Sequence, residues 1–342
     1  MTKETTIYDI AEALNISAAT VSRALKNHPA INSNTRKKVM AKADELGYRF
    51  NHFASNLRKP KTNTIGVIIP RLNSYFVSTA IAAMEKVASE AGYNIIISQS
   101  MESAAKEIIN ANTMFNNRVD GLLVSLANDT SSFSHFTKFT AKGIPVVFFD
   151  RVIENDDSIS IVIDNYKSGY DITNHLIQQG CKRIVHITAS LKRNVYNERF
   201  NGYRQALTDA GIRYTDNLLL DCDLSEQGSA EVTEKILAMK RLPDGIFTAN
   251  DICAASCMKV LRQHGIKIPA DIAIAGFNND PISRMVEPNI TTVNYPAYEI
   301  GEAAASYLIN HLTGVANMLA TNKIILKSEV LIRESSLRKK KL

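Results

Sequence analysis

From residue 64 onward, short apolar runs alternate with longer amphipathic stretches. The runs IGVIIP (65–70), NIIISQ (94–99), DGLLVSL (120–126) and IPVVFFD (144–150) are rich in β-branched residues. That is the pattern of parallel strands buried on both faces. Between them, stretches such as 80–91 and 104–117 repeat apolar positions at helical spacing. After SISIVID (158–164) the rhythm recurs with RIVHIT (183–188), LLLDC (218–222), GIFTAN (245–250) and IAIAGF (272–277). Gly180, Gly211 and Gly265 end three of the intervening helices. Two consecutive halves of similar size predict two doubly wound parallel-sheet lobes facing a cleft.

The first sixty residues follow the helical period instead. Ile7, Ile10, Ala11 and Leu14 make one apolar stripe, opened by a capping box of Thr6 and Asp9. Asn15 ends that helix in a tight turn, and Ser17 caps the next. Val21, Ala24 and Leu25 form the inner stripe of the second helix, which turns Ala18, Ala19, Ser22 and Arg23 outward. A third helix runs from a Ser33 cap through Val39, Met40, Ala43 and Leu46 to a stop at Gly47. Two short helices joined by a three-residue turn form a helix-turn-helix, whose second helix enters the DNA major groove. Alanines at its tip let the backbone approach and offer methyls to thymine. Ser17, Thr20 and Ser22 can donate to phosphates, and Arg23 can reach guanine or phosphate.

The stretch RFNHFASNLRKPKTNT (49–64) reads as a short helix capped by Asn51 and stopped by Pro60, then a polar linker. Eight residues are too few to hold a helix alone in water. Ala54 and Leu57 share one face beside Arg58, and a leucine flanked by cations is the kind of wedge that opens a minor-groove base step.

Charge sharpens this division. The 342-residue chain carries a formal net charge of +6, and all of the excess lies in residues 1–61. The remaining 281 residues hold 29 residues of each sign. A basic head on a neutral body points to a polyanionic partner for the head. No apolar run approaches the length of a membrane span, and the N-terminus lacks the basic-then-apolar pattern of a signal peptide, so a cytoplasmic location is expected. The four cysteines, Cys181, Cys222, Cys253 and Cys257, lack zinc spacing and read as buried or half-buried thiols.

Polar and aromatic residues gather where the predicted strands end. They are Asn73, Tyr75 and Phe76; Asp150 and Arg151; Asp164; Arg193 and Arg199; Asn250 and Asp251; and Asn278. Ligands of open parallel sheets bind at strand C-terminal ends, and amides, carboxylates and arginines beside an aromatic wall suit a polyhydroxyl ligand. Asp164 and Asp251 also precede helices and read equally as caps.

A rival reading is a cytoplasmic sugar-acting enzyme, kinase-like, with an accessory DNA-binding head. The sequence has no G-x-G-x-x-G after the first strand, no G-x-x-x-x-G-K-[ST] and no G-x-S-x-G. Its seven histidines are scattered and form no catalytic set. A transport binding protein is opposed by the head itself.

The segments TIYDIAEALNISAATVSRALKN and TRKKVMAKADELGYRFNHFASNLR resemble the DNA-binding head and hinge of the lactose-repressor-type (LacI/GalR) family of bacterial transcription factors. DNYKSGYDITNHLIQQGCKRIVHI, NERFNGYRQAL, FTANDICAASCMKVL and PNITTVNYP resemble that family's core, itself similar to periplasmic sugar-binding proteins. The resemblance implies a helix-turn-helix domain over 1–50 and a hinge helix and linker over 51–63. It implies a first core subdomain over 64–162 plus about 294–325, and a second over 163–293 plus about 326–337. The basic end 338–342 is expected to be a solvated tail. Positions matching Ala18, Ala19 and Arg23 contact bases in the family, and the position matching Leu57 is its minor-groove leucine. Thr6, Tyr8, Asn27, Asn51, Ala54 and Arg58 complete the expected DNA-facing set. Arg199 falls at the family's central effector arginine and Arg193 at a second, while Asn278 stands where many members have aspartate, which suits a neutral ligand. The implied protein is a homodimeric repressor on a pseudo-palindromic operator, controlled by a sugar or sugar derivative, without catalytic residues, metal or cofactor.

Overall fold

The computed structural model describes residues 5–48, 61–153, 158–315 and 321–338. The chain divides into two compact units, Met1–Thr62 and Asn63–Leu342.

In the first unit three helices, α1 (Ile7–Ala13), α2 (Ala18–Leu25) and α3 (Ser33–Glu45), surround a small core of Ile10, Val21, Ala24, Val39 and Ala43. Burying each Ile or Val side chain is worth roughly 1.5–3 kcal/mol. At the start of α1 the Thr6 backbone N–H and hydroxyl both donate to the Asp9 carboxylate at 2.6 Å. Asn15 takes a positive φ of 50° in the turn, a conformation asparagine tolerates. Ser17 then caps α2, accepting from the Thr20 N–H at 3.1 Å. Two details differ from the sequence reading. Asn32, not Ser33, caps α3, its amide oxygen accepting from the Thr35 N–H at 2.8 Å. Met40 is 47% exposed, because the α3 face that meets the core is centred on Val39 and Ala43.

The second unit holds two parallel sheets. The first has the order β11-β5-β4-β3-β1-β2, built from β1 (Thr64–Ile69), β2 (Asn94–Gln99), β3 (Gly121–Val124), β4 (Val146–Phe149), β5 (Ile159–Ile163) and β11 (Lys323–Leu326). The second has the order β7-β6-β8-β9, from β6 (Ile184–Thr188), β7 (Leu219–Asp221), β8 (Gly245–Thr248) and β9 (Ala273–Ala275). Each of the nine apolar runs coincides with one of these strands. Every pair within either sheet is parallel, so in each lobe all strand C-terminal ends lie on one side.

Three connections join the lobes. The chain passes to the second lobe after β5, then returns through β10 (Thr292–Asn294) into the helix Ala297–Leu312 and β11. It leaves again into β12 (Glu329–Leu331), which pairs antiparallel with β10. Ser168 and Ser328 bond hydroxyl to hydroxyl at 2.8 Å beside this crossing.

The C-terminal end corrects the expectation of a solvated tail from residue 338. Ser335 and Ser336 are fully buried. The Arg338 guanidinium donates to the carbonyls of Pro269 and Asp271, each at 3.0 Å, and of Asp244. Residues 339–342 lie outside the described residues. Among the described residues no helix is long and apolar enough to cross a membrane. All four cysteines are free.

Candidate functional site

The head presents a small-sided helix. Ala19 and Arg23 of α2 are exposed, while Ala18, Thr20 and Ser22 are half-buried at its edge. Ser17 and Thr20 share a hydroxyl–hydroxyl bond of 2.8 Å that fixes the first turn. Tyr8 stands 70% exposed on α1, and Asn27 takes a positive φ of 55° just beyond α2. Thr6 is committed to its cap on Asp9. Asn51, Ala54, Leu57 and Arg58 lie outside the described residues.

In the second unit a cavity of about 460 Å³ opens at the strand C-terminal ends of both sheets. The first lobe contributes Asn73, Tyr75, Phe76 and Asp150 to its lining, and the second contributes Arg199, Asn250 and Asn278. Tyr75 and Phe76 belong to a helix that starts five residues earlier than the apolar periodicity indicated. Ser74 caps that helix, Tyr75–Glu90, and sets both rings in its first turn. The Phe76 ring packs on Tyr295 with centroids 4.4 Å apart.

Arg199 owes its place to a close helix crossing. The helix Asn165–Gln178 packs on the helix Asn194–Asp209, and a Cβ on Gly169 would overlap the Arg199 backbone carbonyl. A Cβ on Gly202 would likewise overlap the Tyr166 carbonyl. The close approach lets Arg199 Nε donate to Asn165 Oδ1 at 2.9 Å, while Nη1 donates to the Ala249 carbonyl at 3.2 Å. Its guanidinium lies 3.6 Å from the Phe277 ring centre, a stacked cation–π contact. Both partners hold the plane of the guanidinium, yet neither is a carboxylate. Burial lowers the Arg199 pKa from its ordinary value.

Asp150 lies opposite. The Tyr295 hydroxyl donates to its Oδ1 at 2.7 Å and the Ser125 hydroxyl to Oδ2 at 3.3 Å. Burial still raises its pKa above the usual range, against the pull of Arg151, Tyr295 and Arg199. Next to it, Arg151 donates to Glu102 at 2.7 Å and across the cleft to the Tyr196 hydroxyl at 2.9 Å. Glu102 also meets Arg71 at 3.4 Å.

Three residues expected at the cleft do not line it. Asp164 is exposed and caps the helix Asn165–Gln178, accepting from the Lys167 N–H at 2.8 Å. Asp251 is fully buried beneath the cavity floor, where it accepts from the Thr292 hydroxyl and the Asp280 N–H, each at 2.7 Å. Arg193 precedes the helix Asn194–Asp209 and turns away from the cavity to donate to the Thr130 carbonyl of the first lobe. Conversely, Glu102, Tyr196, Asp280 and Tyr295 line the cavity without having been singled out from sequence. Asp280 had a sequence signal: it is an acid two positions beyond the asparagine that stands for the family's aspartate. Tyr196 and Tyr295 had none, since only the helix phase and the crossover turn them inward.

The arrangement offers planar cations, amides, carboxylates and aromatic rings to a small ligand. Among the described residues no group of three or more His, Cys, Asp or Glu is placed to hold a metal ion.

Comparison with known proteins agrees with this geometry. Residues 6–51 match the model of bacterial regulatory proteins, lacI family, and residues 173–336 match a periplasmic binding protein-like domain. The chain is 32% identical to catabolite control protein A of Priestia megaterium over 90% of its own length and 92% of that protein's. It is 31% identical to the HTH-type transcriptional regulator RegA of Clostridium saccharobutylicum, covering 97% and 99%. Among solved structures, the transcription regulator CcpA of Lactococcus lactis superposes with a TM-score of 0.72 at 28% identity, over 80% of this chain and 98% of that one. The lac repressor dimer bound to operator and the anti-inducer ONPF shares the fold at a TM-score of 0.83 and 23% identity, over 98% and 100%. The chain therefore belongs to the lacI family of bacterial regulatory proteins and is a DNA-binding transcriptional regulator, not an enzyme.

Proposed function

We propose that this regulator acts in the cytoplasm as a homodimeric repressor on a pseudo-palindromic operator, and that a neutral polyhydroxyl molecule, a sugar or sugar derivative, controls it from the cleft. The observation that carries this reading is a polar, aromatic-walled cavity between two parallel sheets in a chain that also holds a helix-turn-helix. Ala18, Ala19 and Arg23 read base edges. Thr6, Tyr8, Ser17, Thr20, Ser22 and Asn27 meet the backbone or flank it. Asn51, Ala54, Leu57 and Arg58 form the minor-groove hinge. One head spans only a few base pairs, so specificity calls for two on symmetric half-sites. The lobes take in 64–162 with about 294–325, and 163–293 with about 326–337.

Asn73, Tyr75, Phe76, Asp150, Arg199, Asn250 and Asn278 hold the ligand. Its effect on operator affinity is a coupling free energy, typically about 1–3 kcal/mol. Support for a sugar comes from the stacking and bidentate groups, and from a solved relative described as the transcriptional regulator CelR–cellobiose complex. Analytical ultracentrifugation with footprinting on a selected operator tests the assembly. A dimer protecting two symmetric half-sites fits; a monomer protecting one site does not.

A further inference from the structure

We propose that Asp280, rather than Asn278, is the acceptor through which the cleft reads its ligand, and that this ligand presents hydroxyl or ammonium donors and carries no anionic group. The proposal rests on the cleft being the effector site.

Asp280 lines the cavity and is only 5% exposed. Its Oδ2 meets the Asn278 amide at a long 3.4 Å, and its Oδ1 has no hydrogen-bond partner. Buried carboxylates ordinarily have both oxygens served. The shortfall does not come from a loose backbone. The Asp280 N–H is held by Asp251 at 2.7 Å, and its carbonyl accepts from the Ser283 N–H at 2.9 Å and the Ser283 hydroxyl at 2.7 Å. Asn278 and Asn279 take positive φ values of 105° and 58° in the turn that leads into Asp280.

The other acids of the lining have donors. Glu102 holds Arg151 at 2.7 Å and Arg71 at 3.4 Å, and Asp150 takes the Tyr295 hydroxyl at 2.7 Å. Asp223 accepts from the Ser225 hydroxyl at 2.6 Å, and Glu226 meets Lys259 at 3.1 Å. Five acids against three arginines line the cavity. A phosphate or carboxylate would enter an acidic surplus, whereas a hydroxyl or ammonium supplies the donor that Asp280 lacks.

A group kept for a ligand has a recognisable cost. Burial pushes the Asp280 carboxyl up to about 6, so at pH 7.5 the ligand-free fold carries a poorly solvated charge. Replacing it by asparagine relieves the fold and weakens the ligand, whereas a merely structural acid would give a less stable variant.

The test uses full-length protein at pH 7.5 with thermal shift and calorimetry. The panel contains glucose, ribose, cellobiose, glucosamine and adenosine, with glucose 6-phosphate, ribose 5-phosphate, glucuronate and AMP as anionic counterparts. The expected binders are uncharged or ammonium-bearing, and Asp280→Asn weakens them about tenfold or more while raising the ligand-free melting temperature. An anionic counterpart binding tighter than its parent overturns the ligand class. Unchanged affinity in Asp280→Asn, with loss in Arg199→Met, overturns the Asp280 assignment and leaves the cleft reading standing. Binding unaffected by either substitution overturns both.

Discussion

Arg151 at the end of β4 donates to the Tyr196 hydroxyl at 2.9 Å, and its guanidinium lies 5.4 Å from the centre of the same ring. One residue belongs to each lobe, so this contact ties the cleft shut. Asn194 adds a second tie, donating to the Asp150 carbonyl at 3.1 Å and accepting from the Val152 N–H at 3.0 Å. A ligand that favours closure works with these contacts.

Tyr196→Phe keeps the ring and removes the hydroxyl. A hydrogen bond to a charged group contributes about 1.5–3 kcal/mol, so effector affinity should fall roughly tenfold or more. Calorimetric titration with a bound panel sugar measures this. Unchanged affinity would show that the tie does not bias closure.

Gly169→Ala tests how Arg199 is placed. The added methyl must displace the Arg199 backbone, since the two helices meet there without room for a Cβ. Overpacking of this kind costs about 1–3 kcal/mol. The melting temperature should drop, and effector affinity should drop with it. A variant that loses stability yet binds as wild type would mean that the crossing does not position Arg199.

Arg23→Ala tests base reading by an exposed side chain of α2. A bidentate contact to guanine discriminates by about 1–3 kcal/mol. Specific operator affinity should fall by that amount while affinity for random duplex falls much less. Competition binding at fixed salt gives both values, and equal losses would reduce Arg23 to a phosphate contact.

His186 supplies a pH signature. It is fully buried among Phe200, Tyr203 and Phe247, and burial pushes its pKa down to about 3. The ring stays neutral in the fold, while the unfolded chain takes up a proton below its ordinary value of 6.5. Its contribution is therefore complete above pH 6.5 and drains away as pH falls toward 3, by about 1.4 kcal/mol per unit. The stability gap between wild type and His186→Asn should narrow accordingly between pH 6.5 and 4.5 in chemical denaturation. A gap independent of pH would contradict a neutral buried ring.

The lobes were legible because strands buried on both faces leave uninterrupted apolar runs, and the head because small helices need visible caps. Side-chain direction was harder to read. Strand ends place a residue near the cleft, but the first turn of the following helix decides where it points. That turn sends Asp164 to a cap, sinks Asp251 below the floor, and leaves Asn250 on the lining. The helix Tyr75–Glu90 began earlier than its periodicity because its first turn packs the Phe76 ring against the crossover residue Tyr295. Tyr295 reaches the cavity through a lobe crossing that no local pattern encodes, while the only sequence signal of Asp280 is its place two positions beyond Asn278.

The most direct test of ligand-controlled operator binding is retention of genomic fragments by full-length protein against excess competitor DNA, with and without the neutral sugar panel. A few fragments should survive competition, and one sugar should change their affinity roughly 5- to 150-fold. Uniform loss of all fragments, unaffected by any sugar, would contradict it.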